Sequence, residues 1–576
     1  MATPLAVSRR DKHQAVAKPQ ANFTHRRATT VNQRIAIVFT LTALVANSAF
    51  AAAPELKSLL PAGAQRGQTV EVTISGSLGT PPVRGWCSRE DVTITVPEKG
   101  SEFTVQVAAD SQPGLCWIRL TNAEGASALR PFVIGTLTEI LDKEPNNELA
   151  KAQQLPSTRV VVHGVLAKVG DVDVFAVPLK KGETLVASID ANVLLGSPMD
   201  ALLQVVSPAG FVLQQNDDTH GFDPQLAFTA TTAGTHFVRM FAFPSKPNST
   251  IRLAGGADYI YRLTLTTGPF VDHAFPSSVM RGEDRSVELH GWNLSDSLRR
   301  FSIPATGNAD TVRVYHAQLA NTLELRVDEH PSISEPQQDD VDKPVEITLP
   351  VTVTGRIEPA GDVDVFAFDA KKGERLAFRI DSRLLGQALD ATIELRDANG
   401  KVLKRVDDPK KGIFDPTLDY TIPKEGRYLL AVSDLFGHGG LRYAYRLTIA
   451  PQTPTFRLST AADTFKLTAG MPLKIPVTVT RERGFADDIE ITATDLPEGV
   501  FVIAVTSVTK DKDTAKKVEL ILTAAEDVTI DGRLQIVGTP TGDDNRIRTA
   551  TAPITGLTAT TSDLWLTVLK PATKKK

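Results

Sequence analysis

Residues 170–185 read GDVDVFAVPLKKGETL and residues 361–376 read GDVDVFAFDAKKGERL, with twelve identities in sixteen positions at an offset of 191. An internal repeat sets the architecture before any motif is read, because each copy has to bury its own apolar face. The match runs well past the opening block. Leu194-Leu195-Gly196 recurs as Leu384-Leu385-Gly386, Asp200 as Asp390, Gly210 as Gly400, and Asp217-Asp218 as Asp407-Asp408. FDP recurs at 222–224 and 414–416, and YIYRLTL (259–265) returns as YAYRLTI (443–449). A whole domain is therefore duplicated, over about 142–267 and 335–451.

The strings around these copies alternate apolar and polar residues between turn residues, as in TVEVTISG (69–76), VTVTGRI (351–357) and LKIPVTVTR (473–481). Alternation with a period of two, bounded by Gly, Pro, Asn and Asp, reads as strand and turn. Long amphipathic helical patterns are absent, so the expected fold class is all-β, a tandem of β-sandwiches. A second, weaker repeat joins PAGAQRGQTVEVTISG (61–76) to PSSVMRGEDRSVELHG (276–291), keeping Pro, Arg and two Gly at an offset of 215. The expected order is an Ig-like sandwich over 54–136, the first copy over 142–267 and a short Ig-like module over 268–334. The second copy follows over 335–451, then a C-terminal Ig-like sandwich over 453–569 and a basic tail, 570–576.

The first 51 residues differ in composition. A basic stretch ends at Arg34, IAIVFTLTALV follows, and Ala49 and Ala51 form an A-x-A pattern. This is the three-part plan of a secretory signal peptide, and the apolar run is too short to span a bilayer. The expected product starts near Ala52, has no transmembrane segment and is exported: periplasmic, cell-surface or extracellular. The chain carries a formal charge of −4, and without residues 1–51 it holds 56 basic and 66 acidic residues. That balance argues against a nucleic-acid partner. Cys87 and Cys116 are the only cysteines, and in an exported chain two cysteines are expected to pair as a disulfide. Neither belongs to a CxxC, which removes the usual zinc and redox patterns.

Residues that could carry chemistry gather at the repeated block. Asp171 and Asp173 are two apart, so on an extended backbone their carboxylates point the same way. The segment DKEPNNE just upstream adds Asp142, Glu144, Asn146 and Asn147. In the second copy Glu335, Asp362 and Asp364 remain, with Gln337-Gln338 in place of the two asparagines and Asp339 and Asp340 nearby. Six to eight such oxygens at about 2.3–2.6 Å are what Ca²⁺ requires. The competing reading is a solvated acidic turn, since Asp and Asn bond the local backbone. The pairs Asp217-Asp218 and Asp407-Asp408 follow a predicted hairpin strand and read as loop residues. Tyr259, Tyr261, Tyr443 and Tyr445 read as packing residues before they read as a binding face. HExxH, GxSxG, P-loop and dinucleotide patterns are all missing, and no histidine is spaced to serve a nucleophile, so no enzyme is expected.

The order EPNN, G-x-L, GDVDVF, D-x-x-L, DD and YRL resembles the bacterial pre-peptidase C-terminal (PPC) domain. It is also similar to the collagen-binding domains of secreted collagenases. The resemblance implies compact, jelly-roll-like sandwiches attached to exported proteins, often peptidases, some of which bind calcium where the linker meets the first strand. The 61–76 and 276–291 strings resemble IPT/TIG-type Ig-like modules of bacterial surface proteins. The function these features imply is that of an exported binding or scaffold protein with a protein or polysaccharide partner of the envelope or matrix. The alternatives are an accessory part of a secreted peptidase system, or a carbohydrate- or matrix-binding adhesin.

Overall fold

The structure, a computed structural model, describes residues 51–246, 252–307, 309–336, 343–410, 412–542 and 546–571. The expected signal peptide, Asp339 and Asp340, and most of the basic tail lie outside them. Residues 51–576 form one compact unit. Among the described residues it is all-β, with only single helical turns such as Asn192–Leu195 and Asp296–Arg299. No helix among the described residues is long and apolar enough to cross a membrane.

Alternation explains the strands. Leu473–Glu482 points Ile475, Val477 and Val479 inward and Lys474, Pro476 and Thr478 outward, the half-buried pattern of one sheet of a sandwich. Five large apolar clusters result, one in each of five sandwiches. The duplication extends to strand order. In the first copy one sheet runs Thr138–Leu141, Arg159–Val165, Ile260–Thr266, Thr184–Asp190, Gln225–Thr229. The other runs Gln153–Gln154, Asp173–Leu179, Gly234–Pro244, Met199–Val206, Val212–Asn216. The second copy repeats both orders, the first from Ser332–Ser334 and the second from Val345–Glu346. In each copy the leading strand of the first sheet pairs parallel to its neighbour. Each sandwich therefore starts ahead of the boundary its acidic motif suggests, at 138 and 332 instead of 142 and 335.

The weaker repeat is also a repeat of structure. In the N-terminal sandwich Glu55–Leu60 pairs with Thr69–Ser77 through a register shift at Leu56/Ser58; in the middle one Phe270–Phe275 pairs with Arg285–Trp292 through a shift at Val271/His273. The offset is again 215. Both chains then switch sheets, to Gly63–Gln65 and Ser278–Met280, which pair parallel to the last strand of their module.

An arginine on the last strand ties the second copy to the module before it, whereas its buried counterpart in the first copy, Arg262, bonds within its own sandwich. Arg262 bonds Glu139 at 2.7 Å and Asp190 at 3.2 Å. Its counterpart Arg446 bonds Asp381 at 2.8 Å and Asp328, at the end of the middle sandwich, at 2.6 Å. The first and last sandwiches also meet. Arg119, fully buried, donates to Asp463 Oδ2 at 2.6 Å, and the rings of Trp86 and Trp565 stand edge to face 5.7 Å apart.

Cys87 and Cys116, expected as a disulfide, are free thiols here. They share a face of adjacent strands, since Cys87 lies opposite Ile118. A hydrogen bond from Cys116 and the nearby Arg89 hold the Cys87 thiol below its ordinary range against the opposing effect of burial.

Candidate metal centre

The site sits where the linker strand of the first copy passes the start of Asp173–Leu179. Backbone pairing fixes the linker, as the Asp142 N–H donates to the His163 carbonyl at 2.9 Å. Asp142, Glu144 and Asp173 then bring a carboxylate oxygen each to within 4.8 Å of one another. Ligands on opposite sides of one Ca²⁺ are separated by about twice 2.3–2.6 Å, so the trio fits around a single ion.

Asp173 is held from behind. The Tyr261 hydroxyl donates to its Oδ2 at 2.5 Å, while Oδ1 is buried with no partner. Tyr261 reaches it only because Gly164 lies opposite on the neighbouring strand. A Cβ at Gly164 would come 2.1 Å from the tyrosine oxygen. The second copy repeats the device with Gly355, Tyr445 and Asp364, whose Oδ2 accepts at 2.6 Å. Gly164→Ala should therefore cost about 1–3 kcal/mol through overpacking, read as a lower denaturant midpoint of the first sandwich.

Asn146 is fully buried and both its side-chain polar atoms lack partners. A buried amide without hydrogen bonds costs about 1–3 kcal/mol, and an amide oxygen is a normal calcium ligand. Its backbone N–H donates to Glu144 Oε2 at 2.9 Å, which holds the loop around the carboxylates.

Asp171 and Asn147 take another role. Asp171 is buried, and its oxygens accept from Asn147 Nδ2 at 2.8 Å and from the Ala167 N–H at 2.7 Å. The two aspartates of the D-x-D therefore do not form a matched pair of ligands. Asp171 precedes the strand, in a turn, and supports the loop. Its charge is still felt at the cluster. Burial, then Glu144 and Asp171, push the Asp142 carboxyl up to about 6. Burial pushes Asp173 up to about 8, against the Tyr261 bond and with help from Asp142, Glu144 and Asp171. Among the described residues none of Asp142, Glu144 and Asp173 is in an ion pair, so no opposite charge there offsets this repulsion.

The second copy is built differently. The Glu335 N–H donates to the Thr354 carbonyl at 2.8 Å, which makes Glu335 the counterpart of Asp142. The shared Glu-Pro letters had paired it with Glu144. Glu335 Oε2 accepts from the Arg356 N–H at 3.0 Å. Burial, then the neighbouring Asp364 carboxyl, push the Glu335 carboxyl up to about 9. Asp362 stands outside this pair and accepts from the Val363 N–H at 2.8 Å.

Two roles were not visible in the motifs. The aspartate of FDP caps the short helical turn: Asp223 accepts from the N–H groups of Ala191, Asn192 and Val193 at 3.1, 2.7 and 3.0 Å, and Asp415 from Arg383 and Leu384 at 2.9 Å each. Its recurrence was the available signal. Asp223→Ala should cost about 1–2 kcal/mol, measured by urea unfolding. Tyr261 and Tyr445 are core residues whose hydroxyls orient the acidic site, whereas Tyr259 and Tyr443 pack at the core margin.

The segment from Asp362 to Asp434, the D-x-D strand and the strands that follow, matches the family model of the bacterial pre-peptidase C-terminal domain. Residues 362–434 are a PPC domain. The match thus lies in the second copy, in which no three-carboxylate cluster is found among the described residues. No curated protein matches the chain. Among solved structures, it is similar to the periplasmic inhibitor of g-type lysozyme PliG from Aeromonas hydrophila, with 14% identity over 22% of this chain and 100% of that one, at a TM-score of 0.16. It is also similar to the fibronectin(III)-like modules of Clostridium thermocellum CbhA, with 11% identity over 40% and 93% and a TM-score of 0.13. Trypsin-activated alpha-2-macroglobulin of Escherichia coli gives 10% identity over 88% of this chain and 41% of that one, with a TM-score of 0.14. At such TM-scores none of these likenesses bears on what the chain does.

Proposed function

We propose that the chain is an exported, non-enzymatic binding or scaffold protein whose first copy is a second PPC-like module, stiffened by one Ca²⁺. The observations that carry the cation are the three clustered carboxylates, in no ion pair among the described residues, and the buried, unpartnered amide of Asn146, whose backbone N–H bonds Glu144. Asp142, Glu144, Asp173 and the Asn146 amide oxygen are the ligands; Asp171 and Asn147 support them. In the second copy Glu335 stands where Asp142 stands in the first, close to Asp364. The bound cation would pin the linker that leaves the N-terminal sandwich to the first strand of the next module, and so set the angle between two modules. Export rests on the N-terminal composition and on the PPC match, and it favours oxidation of Cys87 with Cys116.

Isothermal titration of chelator-treated protein, residues 52–576, should find one Ca²⁺ site per chain. Glu144→Gln should weaken it at least tenfold, and Asp362→Asn should leave it unchanged. No heat in the wild type, or equal loss in both variants, would remove the proposal. The PPC match also favours a second reading, an accessory of a secreted peptidase, and co-purification of a peptidase with the exported chain would support it.

A further inference from the structure

A groove of about 720 Å³ separates the second copy from the C-terminal sandwich. One wall is apolar: Leu384, Ile413 and Phe414 are 56, 42 and 48% exposed. Around them stand Arg383, Lys410 and, from the C-terminal sandwich, Arg457. The acids that line the groove are already engaged, and Asp390, near Arg383, lies outside it. Asp381 takes Arg379 and Arg446, Glu482 takes Arg457, and Asp415 accepts the two backbone N–H groups of the helical turn. Arg383 and Lys410 enter no ion pair among the described residues.

The first copy shows what the same loops do when the chain itself covers them. There His220 lies beside Gly386 of the second copy, Gln225 donates to Asp272 of the middle sandwich at 2.9 Å, and Gly196 faces Gly556 and Leu557. In the second copy these loops border the open groove. The sequence departs at the same places. The loop DDTHGFDP (217–224) becomes DDPKKGIFDP (407–416), two residues longer, and Val193 becomes Arg383. The shared residues, Leu384, Phe414 and Asp415, keep the scaffold. The residues gained, Arg383, Lys410 and Ile413, add positive charge and apolar surface to a face that the described residues leave uncovered.

We propose that this groove docks an extended acidic segment of a partner protein, with an apolar side chain against Leu384, Ile413 and Phe414 and flanking carboxylates facing Arg383 and Lys410. Charge complementarity selects the occupant: a neutral apolar strand would leave two cations desolvated without partners, and a basic one would be repelled. The inference rests on the binding-protein reading and is independent of the cation.

The test uses the chain from residue 52 onward and a fluorescein-labelled peptide of alternating leucine and glutamate, followed by anisotropy. Saturable binding is expected, weakening as salt screens the charges and unchanged by chelator. Replacing glutamate by glutamine in the peptide should cost at least tenfold, as should Arg383→Glu with Lys410→Glu in the protein. Should that variant not fold, Arg383→Val, the first copy's residue at this place, should still weaken binding severalfold. Absence of saturable binding, equal affinity for the glutamine peptide, or equal affinity of the folded variants would overturn the proposal. So would light scattering that shows the wild type self-associating through Arg383 and Lys410, since a second copy would then be the occupant.

Discussion

Removing calcium from the chain with a chelator at pH 8 is expected to lower the melting temperature of the first copy by about 10 °C, and Asp173→Asn is expected to abolish the difference. The size follows from linkage. A ligand at about 1,000 times its Kd stabilises by about 4 kcal/mol, and a domain of this length shifts by roughly 2–4 °C or more per kcal/mol. The pH dependence is specific. Without the ion, the folded Asp142 and Asp173 carboxyls are raised to about 6 and about 8, above the ordinary carboxylate value near 4. The folded state then holds protons that the unfolded chain gives up. Their contribution to stability is full below about pH 4 and is lost as pH rises through about 6 and then about 8. Calcium replaces those protons, so the gain from adding it should be small at pH 5 and largest above pH 8. Asp173→Asn should also flatten the metal-free pH profile, because it removes the most strongly raised group. Melts that superpose with and without chelator at every pH would end the calcium reading.

The second large effect lies at the joint between the first and last sandwiches. Asp463→Ala should destabilise that joint by about 3–5 kcal/mol, because it leaves the fully buried Arg119 guanidinium without its carboxylate. The remaining acceptors are the backbone oxygens of Asp463 and Asp563 at 3.5 Å, too far to compensate. Replacing both partners by apolar residues, Arg119→Met with Asp463→Leu, should be close to neutral. Each sandwich has its own core, so the single variant is expected to separate modules rather than unfold them. Trp86 and Trp565 would then part, and a red shift of tryptophan emission at low denaturant would report it. An Asp463→Ala chain whose emission and midpoint match the wild type would refute the account.

Much of the fold was legible in sequence because the repeats carried it. Twelve identities around GDVDVFA announced a duplication that the strand order of both copies repeats, and a proline, an arginine and two glycines shared at an offset of 215 marked a second one. What the letters could not show was register at the joints. Thr138–Leu141 and Ser332–Ser334 are short, mostly polar strings that become strands only by pairing parallel to a neighbour, so both modules begin earlier than their motifs. The candidate site shows the same limit. Spacing made Asp171 and Asp173 equivalent, yet a turn before the strand sends Asp171 to Asn147 and the Ala167 N–H. The pair Glu335-Pro336 looked like Glu144-Pro145, yet the backbone bond to Thr354 makes Glu335 the partner of Asp364. Tyr261 was readable as a core residue, but its reach across Gly164 to an aspartate depends on three strands meeting, which no local pattern encodes.

The contact between Arg119 and Asp463 spans 344 residues of chain. Modules this far apart in sequence meet as a tethered pair, at an effective concentration that the intervening modules maintain. A joint too weak to hold two free domains can therefore hold these two shut. The same tether makes the chain tolerant of damage, since a single cut in a surface loop between them would leave both fragments associated through the closed joint and the module interfaces. A protease would have to cut at least twice to release a piece.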